Sequence, residues 1–201
     1  MRATCWSDYL CPWCYLGQDR SHQLTDLGVE VTHLPYELHP EIPEVGRSIR
    51  ADGRLAPTFH RVAIECGALG LPWRPPTRMP NTRRALETAE WVRTSHPTAA
   101  ATLHAGIFEA HFGEGLAIDD PDLLDDLVGA SGAPPASVRA AVDAGAARIL
   151  VEASMAAARA AGVTSTPTWV LDGGFVVPGV LDRATMARWI TKIAEHHPTT
   201  S

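Results

Sequence analysis

Apolar and polar side chains alternate in short segments at the two ends of the chain, as they do in β-strands. Residues 2–6 form a β-prone run, and residues 29–34 alternate in the same way. Residues 168–171 and 175–177 flank the sequence Asp-Gly-Gly, which is typical of a turn. The pattern predicts two strands near the N-terminus and an antiparallel hairpin near the C-terminus.

Most of the chain between these strands has helical character. A helix should begin at Cys11, with Pro12 in its first turn, and end near Gly28. Strand, helix and strand then form a βαβ unit with parallel strands. Six further helices are predicted in the centre of the chain: residues 58–69, 82–95, 98–112, 120–128, 136–144 and 146–161. A last amphipathic helix follows the hairpin.

The order of these elements is β-α-β, a block of helices, and then β-β-α. This order predicts an α/β protein with a thioredoxin-like fold and a large all-helical insertion. We expect one domain over residues 1–201, whose thioredoxin-like part comprises about residues 1–50 and 162–201. The insertion covers about residues 56–161.

Composition narrows the classes of function. The net charge of −6 and the lack of a Lys/Arg-rich run argue against a nucleic-acid partner. We expect no membrane association, because no apolar run approaches 18 residues. No signal-peptide pattern precedes Cys11, so we expect a cytoplasmic protein. In a reducing compartment, cysteines are more often catalytic or metal-binding than structural.

The sequence Cys11-Pro12-Trp13-Cys14 carries the main chemical prediction. A cysteine at a helix N-terminus is stabilised as the thiolate, which is the reactive form. The spacing places the second thiol one turn further along, within reach of a disulfide. We therefore expect Cys11 to be the exposed, attacking thiol and Cys14 the shielded, resolving one.

A Cys-x-x-Cys sequence can also be half of a zinc site. That interpretation needs a second pair of ligands. No second Cys-x-x-Cys is formed by the remaining cysteines, Cys5 and Cys66, and the nine histidines are scattered along the chain. We predict redox chemistry with no metal and no cofactor.

Thr166 and Pro167 lie directly before the strand predicted at residues 168–171. A proline in this position is usually trans. In thioredoxin-like proteins, which this order of elements resembles, a cis-proline lies at this point against the cysteine pair. Together with the upstream cysteine pair and the following hairpin, this resemblance predicts a cis-proline packed against Cys11. The backbone of Thr166 should then hydrogen-bond an extended substrate chain, as an added strand does.

Residues 6–17, Trp-Ser-Asp-Tyr-Leu-Cys-Pro-Trp-Cys-Tyr-Leu-Gly, closely resemble the D-x-x-C-P-W-C-Y-[IL]-G signature of DsbA-like proteins of the FrnE type. The resemblance continues in residues 34–40, 80–82 and 162–167. It implies a thioredoxin fold with a helical insertion, two redox cysteines and thiol–disulfide exchange. The partners would be protein or small-molecule thiols and disulfides.

Three further residues are candidates for contact with substrate. Pro12 and Trp13 lie between the cysteines, and Trp13 should be exposed there. Because Trp13 brings no cation to the Cys11 thiolate, the pair should be less oxidising than one with Pro-His between its cysteines. Asn81 opens a predicted helix, where capping is the ordinary role and substrate contact is the alternative.

Cys5, Asp8 and Glu37 are candidates for proton transfer or site electrostatics. Thioredoxins carry a buried carboxylate six residues before the first cysteine, and here that position is Cys5. It is either ordinary core or a third thiol beneath Cys14. Asp8 caps the loop before the helix or sets the charge near Cys11. Glu37 or a water could take the Cys14 proton.

Three functions remain open on these residues. The first is an enzyme that exchanges protein or small-molecule disulfides. The second is a glutathione-dependent transferase or isomerase of the kappa class or the 2-hydroxychromene-2-carboxylate isomerase type, which resembles this chain in the order of its elements. Those proteins typically have a lone serine or cysteine where this chain has a pair, which favours the first function. The third is a binding module or chaperone that uses the cleft between the two parts.

Overall fold

The computed structural model describes residues 1–50 and 52–196, and over these residues it has the predicted fold. The strands are β1 (Arg2–Ser7), β2 (Glu30–Pro35), β3 (Arg47–Ser48), β4 (Arg78–Met79), β5 (Thr168–Leu171) and β6 (Phe175–Pro178). The helices are α1 (Pro12–Asp26), α2 (Ala56–Leu69), α3 (Arg83–Ser95), α4 (Pro97–Phe108), α5 (Pro121–Ala130), α6 (Pro135–Asp143), α7 (Arg148–Ala160) and α8 (Arg183–His196). A π-helical segment, Glu109–Glu114, directly follows α4.

Four strands form one mixed sheet in the order β2-β1-β5-β6. β1 and β2 are parallel, with Cys5 opposite His33. β1 and β5 are antiparallel, and β5 and β6 form the predicted hairpin. The βαβ unit, the hairpin and the thioredoxin-like fold class are therefore confirmed.

The region predicted as wholly helical also contains a strand, which corrects that prediction. β4 pairs with β3 in a separate two-stranded sheet. The Arg78 guanidinium holds this corner, because it donates to the Val45 carbonyl at 2.9 Å and to the Asp119 carboxylate at 2.9 Å. Two residues are too few to show a period of alternation, so this strand could not be predicted from the pattern of side chains.

The two faces of the sheet pack against different helices. Cys5 shares a core with Leu24 of α1, Trp169 of β5 and Met186 of α8. Trp6 faces the other way and packs with Ala158 of α7. This division follows from the alternation of strand side chains. None of the described helices is long and apolar enough to cross a bilayer.

Gly17 sets how closely α1 approaches the strand that carries Trp169. A Cβ added at Gly17 would lie 3.2 Å from the Trp169 ring and 3.3 Å from the Pro167 ring. The start of α1 can therefore lie directly against Pro167.

We expect Gly17→Ala to lower the free energy of unfolding by about 1 kcal/mol. Overpacking two buried rings costs about 1–3 kcal/mol, which exceeds the gain of about 1 kcal/mol in helix propensity. Gly67 in α2 is the matched control, because a Cβ there would meet no atom within 4 Å. Gly67→Ala should stabilise the protein by up to about 1 kcal/mol. Urea denaturation of both variants checks this, and equal effects would contradict it.

Candidate active site

Cys11 occupies the N-cap of α1, three residues beyond the loop start at Asp8 that follows β1. Its backbone is extended, with φ −88° and ψ 110°, and Pro12 takes the first helical position. The Cys14 N–H donates to the Cys11 carbonyl at 2.9 Å, which closes the first turn. Both thiols are free, and their side chains are hydrogen-bonded to each other.

The pKa values of the two thiols are shifted in opposite directions. The pKa of Cys11 is lowered, first by the hydrogen bond from the Cys14 side chain and then by the Thr166 hydroxyl and the Cys14 N–H, against the effect of burial. The pKa of Cys14 is raised, first by burial and then by its interactions with Cys11. This asymmetry makes Cys11 the better nucleophile of the pair.

The Thr166–Pro167 peptide bond is cis, as the sequence predicted. The Cys11 thiol donates to the Thr166 carbonyl at 3.4 Å. The Thr166 hydroxyl is buried and has no hydrogen-bond partner among the described residues. It lies beside Cys11, where it can donate to the sulfur once the thiol loses its proton.

Exposure of the active-site residues differs from the sequence prediction. Cys11 is only 5% exposed, and Trp13 is half-buried rather than exposed. Residues of α2 and β4 lie close to this part of α1 and reduce its exposure. Together with Cys11, Pro12 and Trp13 they line a cavity of about 150 Å³. The guanidinium of Arg61 lies 5.2 Å from the centre of the Trp13 ring and covers its outer face.

We expect Cys11 to be the first thiol alkylated by iodoacetamide at pH 6.5. An ordinary thiol with a pKa of about 8.5 is only about 1% ionised there. Burial raises the pKa of Cys5 and Cys14, and that of Cys66 to about 11. Mass mapping after brief treatment measures the order of labelling. Labelling of Cys14 or Cys66 before Cys11 would overturn the assigned roles.

Asp8 is completely buried beside the two cysteines. Its carboxylate accepts hydrogen bonds from the N–H groups of Leu38 at 2.7 Å and Leu10 at 3.3 Å. Its carbonyl accepts the Cys11 N–H at 3.0 Å, and its N–H stabilises the Cys14 sulfur. Burial raises the pKa of the Asp8 carboxyl group to about 6, although these N–H groups oppose the shift. Both roles predicted for Asp8, in the loop and in the local charge, are compatible with this position.

Glu37 and Asn81 are bonded to residues other than the two thiols. Glu37 is buried and ion-paired with the guanidinium of Arg83. Asn81 donates to the Ile42 carbonyl at 2.6 Å and accepts from the Arg83 N–H at 3.0 Å. Its amide therefore joins a loop to the start of α3. Among the described residues, neither Glu37 nor Asn81 lines the cavity beside Cys11.

Cys5 lies beneath α1 on the face of the sheet that it shares with Trp169. Its thiol contacts the Ser21 hydroxyl, two turns after Cys14, and its pKa is raised by burial and then by the charge of Cys11. The Trp169 indole also donates to Ser21, at 3.2 Å. Cys5 is thus packed under the redox helix and is electrostatically coupled to Cys11.

Sequence reasoning missed the residues that complete the cavity. These are Phe59 of α2, Met79 of β4 and His111 of the π-helical segment. Each is a single residue in a segment remote from the cysteine pair, so no local motif marks it. Only the insertion folding back over α1 brings these residues together.

Comparisons with known proteins agree with this geometry. Residues 3–190 match the DSBA-like thioredoxin domain family. A probable DsbA oxidoreductase from Streptomyces coelicolor has a similar structure, with a TM-score of 0.88 and 23% identity over 100% of this chain and 92% of that one. A 2-hydroxychromene-2-carboxylate isomerase superposes with a TM-score of 0.79 and 22% identity over the whole of both chains.

A third solved structure is the cytosolic disulfide reductase DsbM from Pseudomonas aeruginosa with GSH. Its TM-score is 0.71, with 16% identity over 97% of this chain and 100% of that one. At these identities the three structures support the fold, while the family match covers nearly the whole sequence. The chain belongs to the DSBA-like thioredoxin domain family.

Proposed function

We propose that this protein is a thiol–disulfide oxidoreductase that exchanges a Cys11–Cys14 dithiol or disulfide with protein or small-molecule thiols. The observation that carries the proposal is the pairing of an acidified Cys11 with a protonated Cys14 in one helical turn. Neither a lone nucleophile nor a binding module requires such a pair.

The reaction consists of two thiol–disulfide exchanges. The Cys11 thiolate attacks one sulfur of a substrate disulfide, forms a mixed disulfide and releases the other sulfur as a thiolate. Cys14 then loses its proton and attacks Cys11, which releases the second substrate thiol. The substrate gains two electrons and the Cys11–Cys14 pair becomes a disulfide; oxidation of a substrate dithiol is the reverse.

The neighbouring residues have distinct roles in this proposal. The Thr166 hydroxyl stabilises the Cys11 thiolate, and the Thr166 backbone and Pro167 border the substrate chain. Pro12 and Trp13 contact the substrate where they line the cavity. Asn81 acts through the loop that it holds, with direct substrate contact as the alternative. For the Cys14 proton, Asp8 is the favoured acceptor, since Glu37 is paired with Arg83 and a thiol at Cys5 accepts protons poorly.

A measured reduction potential tests the proposal and gives the direction of electron flow. A value near about −270 mV would indicate a reductant, and one near about −120 mV an oxidant. Turnover of glutathione disulfide and of a disulfide-bonded protein should be lost when Cys11 and Cys14 are both replaced by serine. Full activity of that double variant would show a binding module or chaperone instead.

Glutathione-dependent chemistry is the second candidate. The small apolar cavity beside Cys11 favours a small-molecule substrate, and the DsbM structure was solved with GSH. Glutathione is therefore the thiol partner of this second candidate function. DsbM is described as cytosolic, which supports a cytoplasmic setting for this chain as well. An isomerase that requires glutathione would retain its activity in Cys14→Ser, whereas the oxidoreductase would lose turnover.

Two substitutions at Cys5 test its role. Cys5→Ala should leave the release of a mixed disulfide unchanged, because a thiol with a raised pKa cannot accept a proton near neutrality. Cys5→Asp should speed release, because a buried carboxylate has a raised pKa and can accept a proton there. Stopped-flow release from a model mixed disulfide measures both. A folded Cys5→Ala that loses most of its activity would point to a third working thiol.

A further inference from the structure

The cavity beside Cys11 has the size and lining of a site for one aromatic ring. Its volume is about 150 Å³, and its apolar walls include Trp13, Leu38, Ile49, Leu55, Phe59 and Met79. In another protein an enclosed cavity of about this volume, lined by Leu, Ile and Phe side chains, binds benzene, so this volume is sufficient for one aromatic ring. The Cys11 side chain lines the same cavity. A substrate whose aromatic ring fills the cavity would therefore place its disulfide close to the Cys11 sulfur.

The charged side chains at the cavity wall are already engaged. The Arg78 guanidinium is ion-paired with Asp119 and also donates to the Val45 carbonyl. The His39 ring contacts Glu41 at 3.0 Å, and both side chains are exposed. Among the described residues that line the cavity, no cation is left to pair with a carboxylate on a ligand.

His111 contributes a buried imidazole ring to the wall. It is 5% exposed and lies in the π-helical segment Glu109–Glu114, and its ring packs against Phe112 with centroids 4.4 Å apart. Burial lowers the pKa of His111 to about 4, so the ring is neutral at pH 7. One nitrogen is hydrogen-bonded to the Leu116 backbone. A neutral imidazole that donates from one nitrogen presents a lone pair on the other.

We propose that the substituent next to the sulfur attacked by Cys11 is a small, uncharged aromatic group with one hydrogen-bond donor, and that His111 accepts this hydrogen bond. This inference rests on the proposed function and names its substrate class. The apolar walls favour the ring, the lack of an unpaired cation among the described lining residues disfavours an acid, and the neutral His111 ring favours a hydroxyl or N–H donor. His111 is thus a specificity-determining residue, and the exchange chemistry stays with the two cysteines.

The test compares mixed disulfides of glutathione with benzyl, 4-hydroxybenzyl and 4-carboxybenzyl mercaptan. When Cys11 attacks the sulfur that carries the ring, glutathione is the leaving thiol in all three substrates. The methylene group separates the ring from that sulfur, so the para substituent changes the reactivity of the attacked sulfur little. We expect kcat/KM for the hydroxybenzyl substrate to exceed that for the benzyl one by about fivefold to tenfold, the effect of one neutral hydrogen bond. The carboxybenzyl substrate should be at least about a hundredfold poorer than the benzyl one, because its charge would be buried without a partner.

His111→Leu should remove the preference for the hydroxybenzyl over the benzyl substrate, measured as the ratio of the two kcat/KM values within the variant, whereas His111→Gln, which keeps an acceptor, should restore part of that ratio. Equal preference in the wild type and His111→Leu, or good turnover of the carboxybenzyl substrate, would overturn the inference. If glutathione disulfide is turned over but the ring makes no difference, only this inference fails. If no disulfide is turned over, the proposed function fails.

A measurement on the wild-type protein tests the proposed site even if the His111 variants do not fold. Phenol should slow the alkylation of Cys11 by iodoacetamide at lower concentrations than benzene does, and benzoate should not slow it. Equal protection by phenol and benzoate, or none by phenol, would contradict the proposed site.

Discussion

Replacing Cys11 with serine should abolish disulfide exchange, whereas replacing Cys14 should stop the reaction halfway. Cys11 is the thiol with the lowered pKa, so its loss removes the nucleophile of the first step. Cys14→Ser keeps that nucleophile and loses the thiol that resolves the mixed disulfide. We therefore expect Cys14→Ser to accumulate a stable covalent adduct at Cys11, which intact-mass spectrometry after incubation with glutathione disulfide would detect.

Cys66 offers a matched control for these two variants. It is fully buried in α2, and burial raises its pKa to about 11. Cys66→Ser should leave turnover within a factor of about two, since a buried thiol with a raised pKa is inert. An adduct on Cys14 in the Cys11→Ser variant, at a rate near that of the wild type, would reverse the two assigned roles.

The redox centre could be predicted from the sequence because its signals are local. Cys11, Pro12 and Cys14 occupy one helical turn, and the helix N-terminus could be located from Pro12 alone. Pro167 lies far away in the chain, and its cis peptide bond could be predicted from the cis-proline that thioredoxin-like proteins carry before this hairpin. Periodicity also located the helices, to within about three residues at most ends.

The surroundings of the redox centre could not be predicted in the same way. The burial of Asp8 depends on the N–H of Leu38, from a loop after β2 that has no periodic pattern. The half-buried state of Trp13 depends on Arg61 and on the cavity wall from α2. His111 reaches the cavity from a π-helical segment, whereas the side-chain pattern predicts the end of an ordinary α-helix there. These features arise from tertiary contacts between distant segments, and the side-chain pattern within each segment does not predict those contacts.

Asp8→Asn should slow the release of substrate from the mixed disulfide by about a hundredfold at pH 7, the usual contribution of a positioned base. The Asp8 carboxyl group is buried, its charge acts on Cys11, and its pKa of about 6 is close to what a proton acceptor near neutrality requires. In the wild type, the release rate should rise with pH through about 6 as the carboxyl group loses its proton. The asparagine variant should lack this inflection. Stopped-flow release between pH 5 and pH 8 measures both.

Glu37→Gln is the matched control for the acceptor. The Glu37 charge contributes to the raised pKa of Asp8, so its removal should move the inflection to lower pH without abolishing it. Loss of the inflection in Glu37→Gln, with no change in Asp8→Asn, would make Glu37 the acceptor of the Cys14 proton.

The same carboxyl group should make stability depend on pH in a direction that can be checked. Its pKa is about 6 in the folded protein against an ordinary value of 3.8, so between these values the folded state binds more protons than the unfolded state. Stability must then fall as pH rises from about 4 to about 6, by about 3 kcal/mol for this shift. Asp8→Asn lacks the titrating group and should lack this part of the fall. Urea denaturation of both proteins at pH 4 and pH 7 isolates the effect, and a difference in stability that does not change with pH would show that Asp8 does not titrate in this range.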